Sequence, residues 1–266
     1  MRLENINGLM LGQFENLLKH NNHITHFVTT RHGGVSTGAY NSFNLSLNGD
    51  DNPSNVLNNR QKLADTIGLT TNDFVYPIQV HGTNTPRVYE ADRGRGTQSP
   101  SNAFKDTDGF ITNVPRLCLI TLAADCVPIV FFDPVHKAIG VAHAGWKGTT
   151  MRVPASLVDS MSEEFGTNPK DLIVGIGPSG GPCCYEVGDD VIAEVEKSFD
   201  LNKVIKNIKG KTIFDMWEAN KTTLIESGVR PANIEVSDLC TISQNETFFS
   251  ARRGDDGRFV AGIFLT

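Results

Sequence analysis

Between Leu117 and His143 the chain presents three strand-length apolar runs, "LCLITLA", "VPIVFFD" and "AIGVAH", with no helix-length segment between them. "ADC" alone separates the first two, and "DPVHKA", Asp133 to Ala138, has the composition of a hairpin turn joining the second to the third. A regular βαβ series would place a helix after each strand. This stretch therefore directs the chain to an α+β architecture with mixed or antiparallel sheets.

The same reading extends along the chain. Ile24–Thr30, Phe74–Val80, Thr85–Tyr89, Phe110–Thr112, Leu172–Ile176, Ile234–Val236 and Phe259–Phe264 are further β-branched or aromatic runs, mostly closed by Gly, Pro, Asp or Asn. Helices are fewer. Ser54 caps a predicted helix over Asn55–Ile67 that stops at Gly68. Met151–Phe165 carries Val153, Leu157, Val158, Met161 and Phe165 on one face and stops at Gly166. Asp189 or Asp190 opens a third helix through Phe199, and "DMWEANKTTLIESG" opens a fourth with Asp215 and Glu218 at capping-box spacing. "EADRGRGTQSPSNAFKDTDG", Glu90 to Gly109, reads as a surface loop inserted in one domain, because strand-like runs flank it. The expected organisation is a single domain over residues 1–266 with a sizeable core.

Charge narrows the partners. Lys and Arg number 24 against 30 Asp and Glu, and no basic run appears, which argues against nucleic acid or an acidic membrane surface. No apolar stretch reaches the length of a membrane span. "MRLENINGLMLGQFENLL" is interrupted by Glu4, Asn5, Asn7, Gln13 and Glu15 and lacks the apolar core of a signal peptide. Five cysteines, an odd number, suit free thiols better than a disulfide framework, so a cytoplasmic protein is expected.

Three residues stand at the ends of, or breaks in, strand-like runs with small residues beside them. His81 follows "YPIQV" and precedes Gly82; Cys126 follows Ala124 and Asp125; His143 in "GVAHAGWKGT" precedes Ala144 and Gly145. Strand ends on one rim of a sheet can converge. Two imidazoles and one thiolate suit Zn2+, with a fourth tetrahedral position open to water or substrate, as in catalytic sites. Spacing alone offers no C-x-x-C or H-E-x-x-H frame, and singly a buried Cys reads as a small hydrophobe and a His as a hydrogen-bonded structural residue. That plain reading holds for Cys118, Cys240, His20, His23, His26 and His136.

The blocks "TRHGGVSTGAYNSFNLS", "QVHG", "DTDGF", "AADCVPIVFFDP", "AHAGWKGT", "GIGPSGGPCCYEVG", "WEAN", "CT" and "FFSARRGDDGRF" resemble, in order from Thr30 to Phe264, the laccase-domain family, also called the polyphenol oxidoreductase or purine nucleoside phosphorylase type. The resemblance implies a layered α/β/β/α sandwich with mixed sheets in a single domain. It implies metal ligands in "VHG", "DC" and "HAGW", which fall here on His81, Cys126 and His143 as metal-binding and catalytic residues. It further implies a zinc-dependent purine nucleoside phosphorylase acting on adenosine, inosine, guanosine and methylthioadenosine with phosphate, some members also deaminating adenosine. Copper competes for the same nitrogen and sulfur ligands. One block departs: Ala251 stands where the family often has Tyr.

Phosphorolysis calls for cations and N–H donors around phosphate. Arg31, before the Gly/Ser/Thr stretch "HGGVSTG", and Lys147, four residues after His143, are the predicted phosphate partners, while Arg60, Arg252 and Arg253 read as solvated charges. The loop Gly175 to Gly188 reads as a fixed wall of the pocket, its cysteines not needed as ligands, and Gln79 and Asp125 as orienters of the neighbouring ligands. Among rival chemistries, a laccase-type trinuclear copper centre is disfavoured because the chain has no His-x-His pair. A metal-free cysteine hydrolase, with Cys126 as nucleophile and His143 or His81 as base, uses the same residue types; the resemblance also suggests an amidase that edits peptidoglycan precursors. A binding module without turnover fits an open metal position least well.

Overall fold

A computed structural model describes residues 1–266. Its strands are β1 (Arg2–Ile6), β2 (Leu9–Gln13), β3 (Ile24–Thr29), β4 (Phe74–Val75), β5 (Gly109–Thr112), β6 (Cys118–Ala123), β7 (Val127–Asp133), β8 (Ala138–Ala144), β9 (Ile173–Ile176), β10 (Ile205–Ile208), β11 (Lys211–Phe214), β12 (Ile234–Val236) and β13 (Phe259–Leu265). Its helices are α1 (Glu15–Leu18), α2 (Pro53–Ile67), α3 (Trp146–Thr150), α4 (Val153–Phe165), α5 (Asp189–Glu196), α6 (Leu201–Val204) and α7 (Met216–Glu226). One sheet runs β1-β2-β3-β13-β6-β4, a second β12-β9-β7-β8-β5, and β10-β11 is a separate hairpin. The β4–β6 and β12–β9 pairs are parallel and the others antiparallel, so both large sheets are mixed.

The two large sheets stack face to face, and helices cover both outer faces. In β7, Val130 and Phe132 enter the core between the sheets, whereas Ile129 and Phe131 meet Leu157 and Val158 of α4 and Leu224 of α7. In β13, Phe259, Ala261 and Ile263 enter the same inter-sheet core, and Val260 and Phe264 join Leu63 and Ala64 of α2 on the opposite side. Every residue of β6, β7, β8 and β13 is buried. That double burial is why these strands read as continuous apolar runs rather than alternating ones. The architecture is the expected α/β/β/α sandwich, an α+β single domain. No helix is long and apolar enough to cross a membrane.

Several expected elements differ in detail. The run Phe74–Val80 is a strand only to Val75, and Thr85–Tyr89 forms none; single bridges, Pro77 to Phe104 and Arg87 to Ile111, replace ladders. Pro77 and Pro86 lack the N–H a ladder needs, so the buried Tyr76 and Val88 are held by single backbone bonds, from the Tyr76 N–H to the Arg95 carbonyl at 2.9 Å and from the Val88 N–H to the Ile111 carbonyl at 2.8 Å. Asn52 rather than Ser54 caps α2, its side chain accepting from the Ser54 N–H at 3.0 Å with Pro53 in the first turn. The helix expected over Met151–Phe165 begins only at Val153: Arg152, at φ +63°, separates α3 from α4, and Pro154 occupies the first turn of α4, where its missing N–H has no intrahelical partner to lose. The third helix ends at Glu196 rather than Phe199. Asp215 caps α7 as expected, accepting from the Glu218 N–H.

Arg60 is buried, not solvated. It donates to the carbonyls of Leu45 (2.7 and 2.9 Å), Gly96 (2.8 Å) and Thr97 (2.6 Å), with its guanidinium 3.6 Å from the Tyr76 ring centroid. It thereby ties α2 to the loops at Leu45 and Gly96. Arg60→Met is expected to cost about 2–4 kcal/mol, because three carbonyls lose charged donors. The readout is a lower denaturation midpoint at unchanged slope; an unaltered midpoint would remove this role.

Candidate metal centre

β7 and β8 pair with Val127 opposite Ala144 and Pro128 opposite His143. This register sets Cys126, the residue before β7, beside His143, the penultimate residue of β8. His81 arrives from the irregular segment after β4. The ligand atoms of His81, Cys126 and His143 lie within 4.8 Å of one another. Cys126 Sγ is 3.7 Å from His81 Nε2, and the two imidazole centroids are 4.9 Å apart. Tetrahedral zinc, with bonds of about 2.0–2.1 Å to nitrogen and 2.3 Å to sulfur, places the two donor types roughly 3.6 Å apart. The His81–Cys126 separation fits that requirement.

Gly145 gives an independent sign of fit. A Cβ there would lie 2.6 Å from His81 Cδ2 and 3.0 Å from Cys126 Sγ. The ring and the thiol converge over the start of α3 only because this position carries no side chain. Gly145→Ala is expected to push them apart and to weaken metal binding at least about tenfold, as even a change beyond the ligands themselves can. Equilibrium dialysis against zinc measures it, and affinity equal to wild type would rule out the convergence as a metal cradle.

Asp108, buried in the "DTDGF" block, organises the trio, and the sequence reading assigned it no role. Its Oδ1 pairs with His143 Nδ1 at 2.9 Å and accepts the His81 N–H at 2.9 Å. Its Oδ2 accepts the N–H groups of Val80 (3.2 Å) and Gly82 (2.7 Å), and its carbonyl accepts the His143 N–H at 2.7 Å. The ring contact fixes the His143 tautomer that leaves Nε2 free to ligate. The three amides wrap the 80–82 turn around a negative charge and hold His81 at φ +63°, a conformation costing of order 1–3 kcal/mol outside glycine. Burial pushes the Asp108 carboxyl up, but His143 and the Gly82 and Val80 amides outweigh it and hold it below the ordinary value.

Burial also disfavours charge on Cys126 and His143, yet each favours charge on the other. The Cys126 thiol is lowered, by His143 and then His81; the His143 imidazole is raised, by Cys126 and Asp108. The thiolate so favoured is the form that binds metal, and the proton that the same pairing favours on the His143 ring must leave as metal binds.

Gln79 and Asp125 hold the segments that carry the ligands rather than the ligand side chains. Gln79 Nε2 donates to the Leu122 carbonyl at 2.9 Å and its Oε1 accepts the Leu122 N–H at 2.8 Å, in the manner of an adjacent strand. Asp125, at φ +79°, accepts from Thr241 Oγ1 (2.6 Å), Ser250 Oγ (3.0 Å) and the Arg252 N–H (2.8 Å), which locks the bend presenting Cys126.

The trio lines a cavity of about 680 Å³ with apolar contributions from Leu122, Trp146 and Tyr185. Lys147, Arg252 and Arg258 also line it. Arg31 does not. Its Nη1 and Nη2 each meet Asp255 at 3.1 Å, and its remaining donors reach the carbonyls of Asn41 and Asn245. The adjoining "HGGVSTG" amides are likewise engaged: Gly34 and Ser36 donate to Ser42, and Val35 donates to Asn59. The expected phosphate role of Arg31 is therefore corrected to a structural clamp. Arg252, read as a solvated charge, is exposed, and it also lies over the Tyr185 ring at 4.6 Å and donates to the Glu186 carbonyl at 2.7 Å. Ala251 lines the same cavity, so the missing aromatic ring leaves room there.

Residues 25–266 match the family described as multi-copper polyphenol oxidoreductase laccase. The chain is 36% identical over 261 residues to a Bacteroides thetaiotaomicron protein named purine nucleoside phosphorylase, covering 96% of each chain. It is 34% identical over 243 residues to a protein named adenosine deaminase RL5 from an unknown prokaryotic organism, covering 90% of this chain and 92% of that one. The crystal structure of YlmD from Geobacillus stearothermophilus is similar with a TM-score of 0.92 at 33% identity, covering 98% of this chain and 97% of the other.

Proposed function

This chain belongs to the multi-copper polyphenol oxidoreductase laccase family, and from that premise we propose that it is a zinc-dependent purine nucleoside phosphorylase. The observation that carries the reading is the convergence of His81, Cys126 and His143 in a cavity that also holds Lys147, Arg252 and Arg258. Those two imidazoles and one thiolate would hold zinc, which would supply Lewis-acid polarisation of the substrate; copper is the competing occupant. Lys147 and Arg252 bind the phosphate. A phosphate oxygen attacks C1′ of the ribose, the C1′–N9 bond breaks with its electron pair leaving on the purine, and the proton carried in by hydrogen phosphate passes to the purine, giving free base and the sugar 1-phosphate. Trp146 and Tyr185 offer apolar surface to base and sugar and keep water from the reacting carbon. Adenosine, inosine, guanosine and methylthioadenosine are the proposed substrates, with adenosine deamination as a side activity. Five free thiols suit a reducing cytoplasm.

Chromatography of an adenosine reaction with and without phosphate tests the proposal. Adenine is expected only with phosphate; inosine formed equally in both, without adenine, would make the protein a deaminase. Lys147→Ala and Arg252→Ala are each expected to lower kcat/KM for phosphate by about 10–100-fold, the equivalent of one charged hydrogen bond. An unchanged phosphate dependence in both would remove these residues from the site.

One observation favours a second reading. Asp108, His143 and Cys126 stand in the carboxylate–imidazole–thiol order of a cysteine hydrolase. Amide cleavage that survives metal chelation, with no nucleoside turnover, would select it.

A further inference from the structure

Beside the wall residue Tyr185 the fold gathers a second set of thiols. Cys183 and Cys184 sit on the turn after Gly181, and Cys240 on a segment bridged to Ser179. Their sulfurs lie within 4.8 Å of one another, with Cys183 to Cys184 at 3.1 Å and Cys184 to Cys240 at 3.3 Å. Backbone bonds hold the two segments side by side: Thr241 N–H to the Ser179 carbonyl at 2.9 Å, and Ser179 N–H to the Leu239 carbonyl at 3.3 Å. A Cβ on Gly181 would lie 2.9 Å from both Cys240 Cβ and the Trp217 ring, so the approach depends on glycine. The Gly181 N–H donates to Cys240 Sγ at 3.2 Å. Burial pushes all three thiols up; donors from Ser243 and Gly181 outweigh it at Cys240 and leave that thiol lowered, whereas Cys183 and Cys184 stay raised. Cys240 is buried, Cys184 half-buried and Cys183 exposed, which gives the cluster a solvent-facing end.

We propose that Cys183, Cys184 and Cys240 form a second, all-thiolate site that binds copper(I). Three sulfurs come together here with no imidazole or carboxylate among them. Soft thiolates select soft ions, whereas structural zinc takes four ligands in a tetrahedron. A set of three sulfurs without a fourth ligand therefore suits a monovalent, thiophilic ion. Binding exchanges S–H bonds for Cu–S bonds and releases the protons to buffer, and copper stays in the +1 state throughout. The site is separate from the His81, Cys126 and His143 group. It bears on that group's surroundings, since the Gly180 N–H donates to the Asp125 carbonyl at 2.8 Å.

The test uses full-length protein loaded with zinc, titrated anaerobically with copper(I) against bathocuproine disulfonate. Wild type is expected to take up copper(I) without releasing zinc, and X-ray absorption at the copper edge should show sulfur neighbours alone. Cys183→Ser and Cys184→Ser are each expected to weaken that uptake at least about tenfold at unchanged zinc content. Cys183 is exposed, so its variant tests the site without disturbing the core. Equal uptake by Cys183→Ser and wild type would overturn the proposal. So would zinc release matching copper uptake, which places copper on His81, Cys126 and His143. Nitrogen neighbours at the copper edge would overturn it too, as would formation of a Cys184–Cys240 disulfide in place of copper binding.

Discussion

Cys126→Ala is expected to yield a folded protein that holds no stoichiometric zinc and turns over nucleosides at least about 10³-fold more slowly, a loss of about 4 kcal/mol in transition-state stabilisation. Cys126 precedes β7 and belongs to none of the hydrophobic clusters, so truncating it opens no core cavity. What it removes is the thiolate. Two imidazoles remain, one fewer protein ligand than catalytic zinc sites use. Cys126 is also the foremost of the influences that raise the His143 imidazole against its burial. Elemental analysis, a thermal melt and kcat/KM measured on one preparation read the three consequences separately. Stoichiometric zinc in the variant would overturn the ligand assignment. Loss of turnover with zinc retained would instead point to Cys126 as a nucleophile.

The convergence of His81, Cys126 and His143 is legible in the chain because each terminates or interrupts a strand-like run, and because the motifs around them resemble a known family. The sandwich is legible for a related reason: β6, β7 and β8 are apolar throughout, follow one another without a helix and end at turn residues. Other elements leave no such trace. The exposed β1 carries Arg2, Glu4 and Asn5 in its five residues, so no apolar pattern marks it. β10 carries exposed Lys206 and Asn207, and it turns into β11 through Lys209 and Gly210, both at positive φ. The arginines show the deeper limit. Sequence reveals a cation but not its partner: Arg31 is claimed by Asp255, 224 residues away, and Arg60 by carbonyls at least 15 residues off. Asp108 is hidden in the same way, 27 residues after His81 and 35 before His143. Only the packed sheets make it the neighbour of both.

That position makes Asp108→Asn the most informative conservative change in the protein. Shape and size are kept, while one acceptor oxygen becomes a donor. Both carboxylate oxygens of Asp108 face donors: Oδ1 the His143 ring and the His81 N–H, Oδ2 the N–H groups of Val80 and Gly82. No orientation of the amide satisfies both sides. If the amide NH2 replaces Oδ2, the Val80 and Gly82 amides lose their acceptor, and the turn holding His81 at φ +63° is released. If it replaces Oδ1, the NH2 donates to His143 Nδ1, the proton moves to Nε2, and the nitrogen meant for metal can no longer ligate. Either outcome should lower metal affinity by about 10–100-fold and stability by about 2–4 kcal/mol, since buried donors are left unpaired. Nitrogen chemical shifts of the His143 ring report the tautomer, a readout that a merely structural change would not move. Wild-type zinc affinity together with an unshifted His143 tautomer would show that Asp108 does not orient the site.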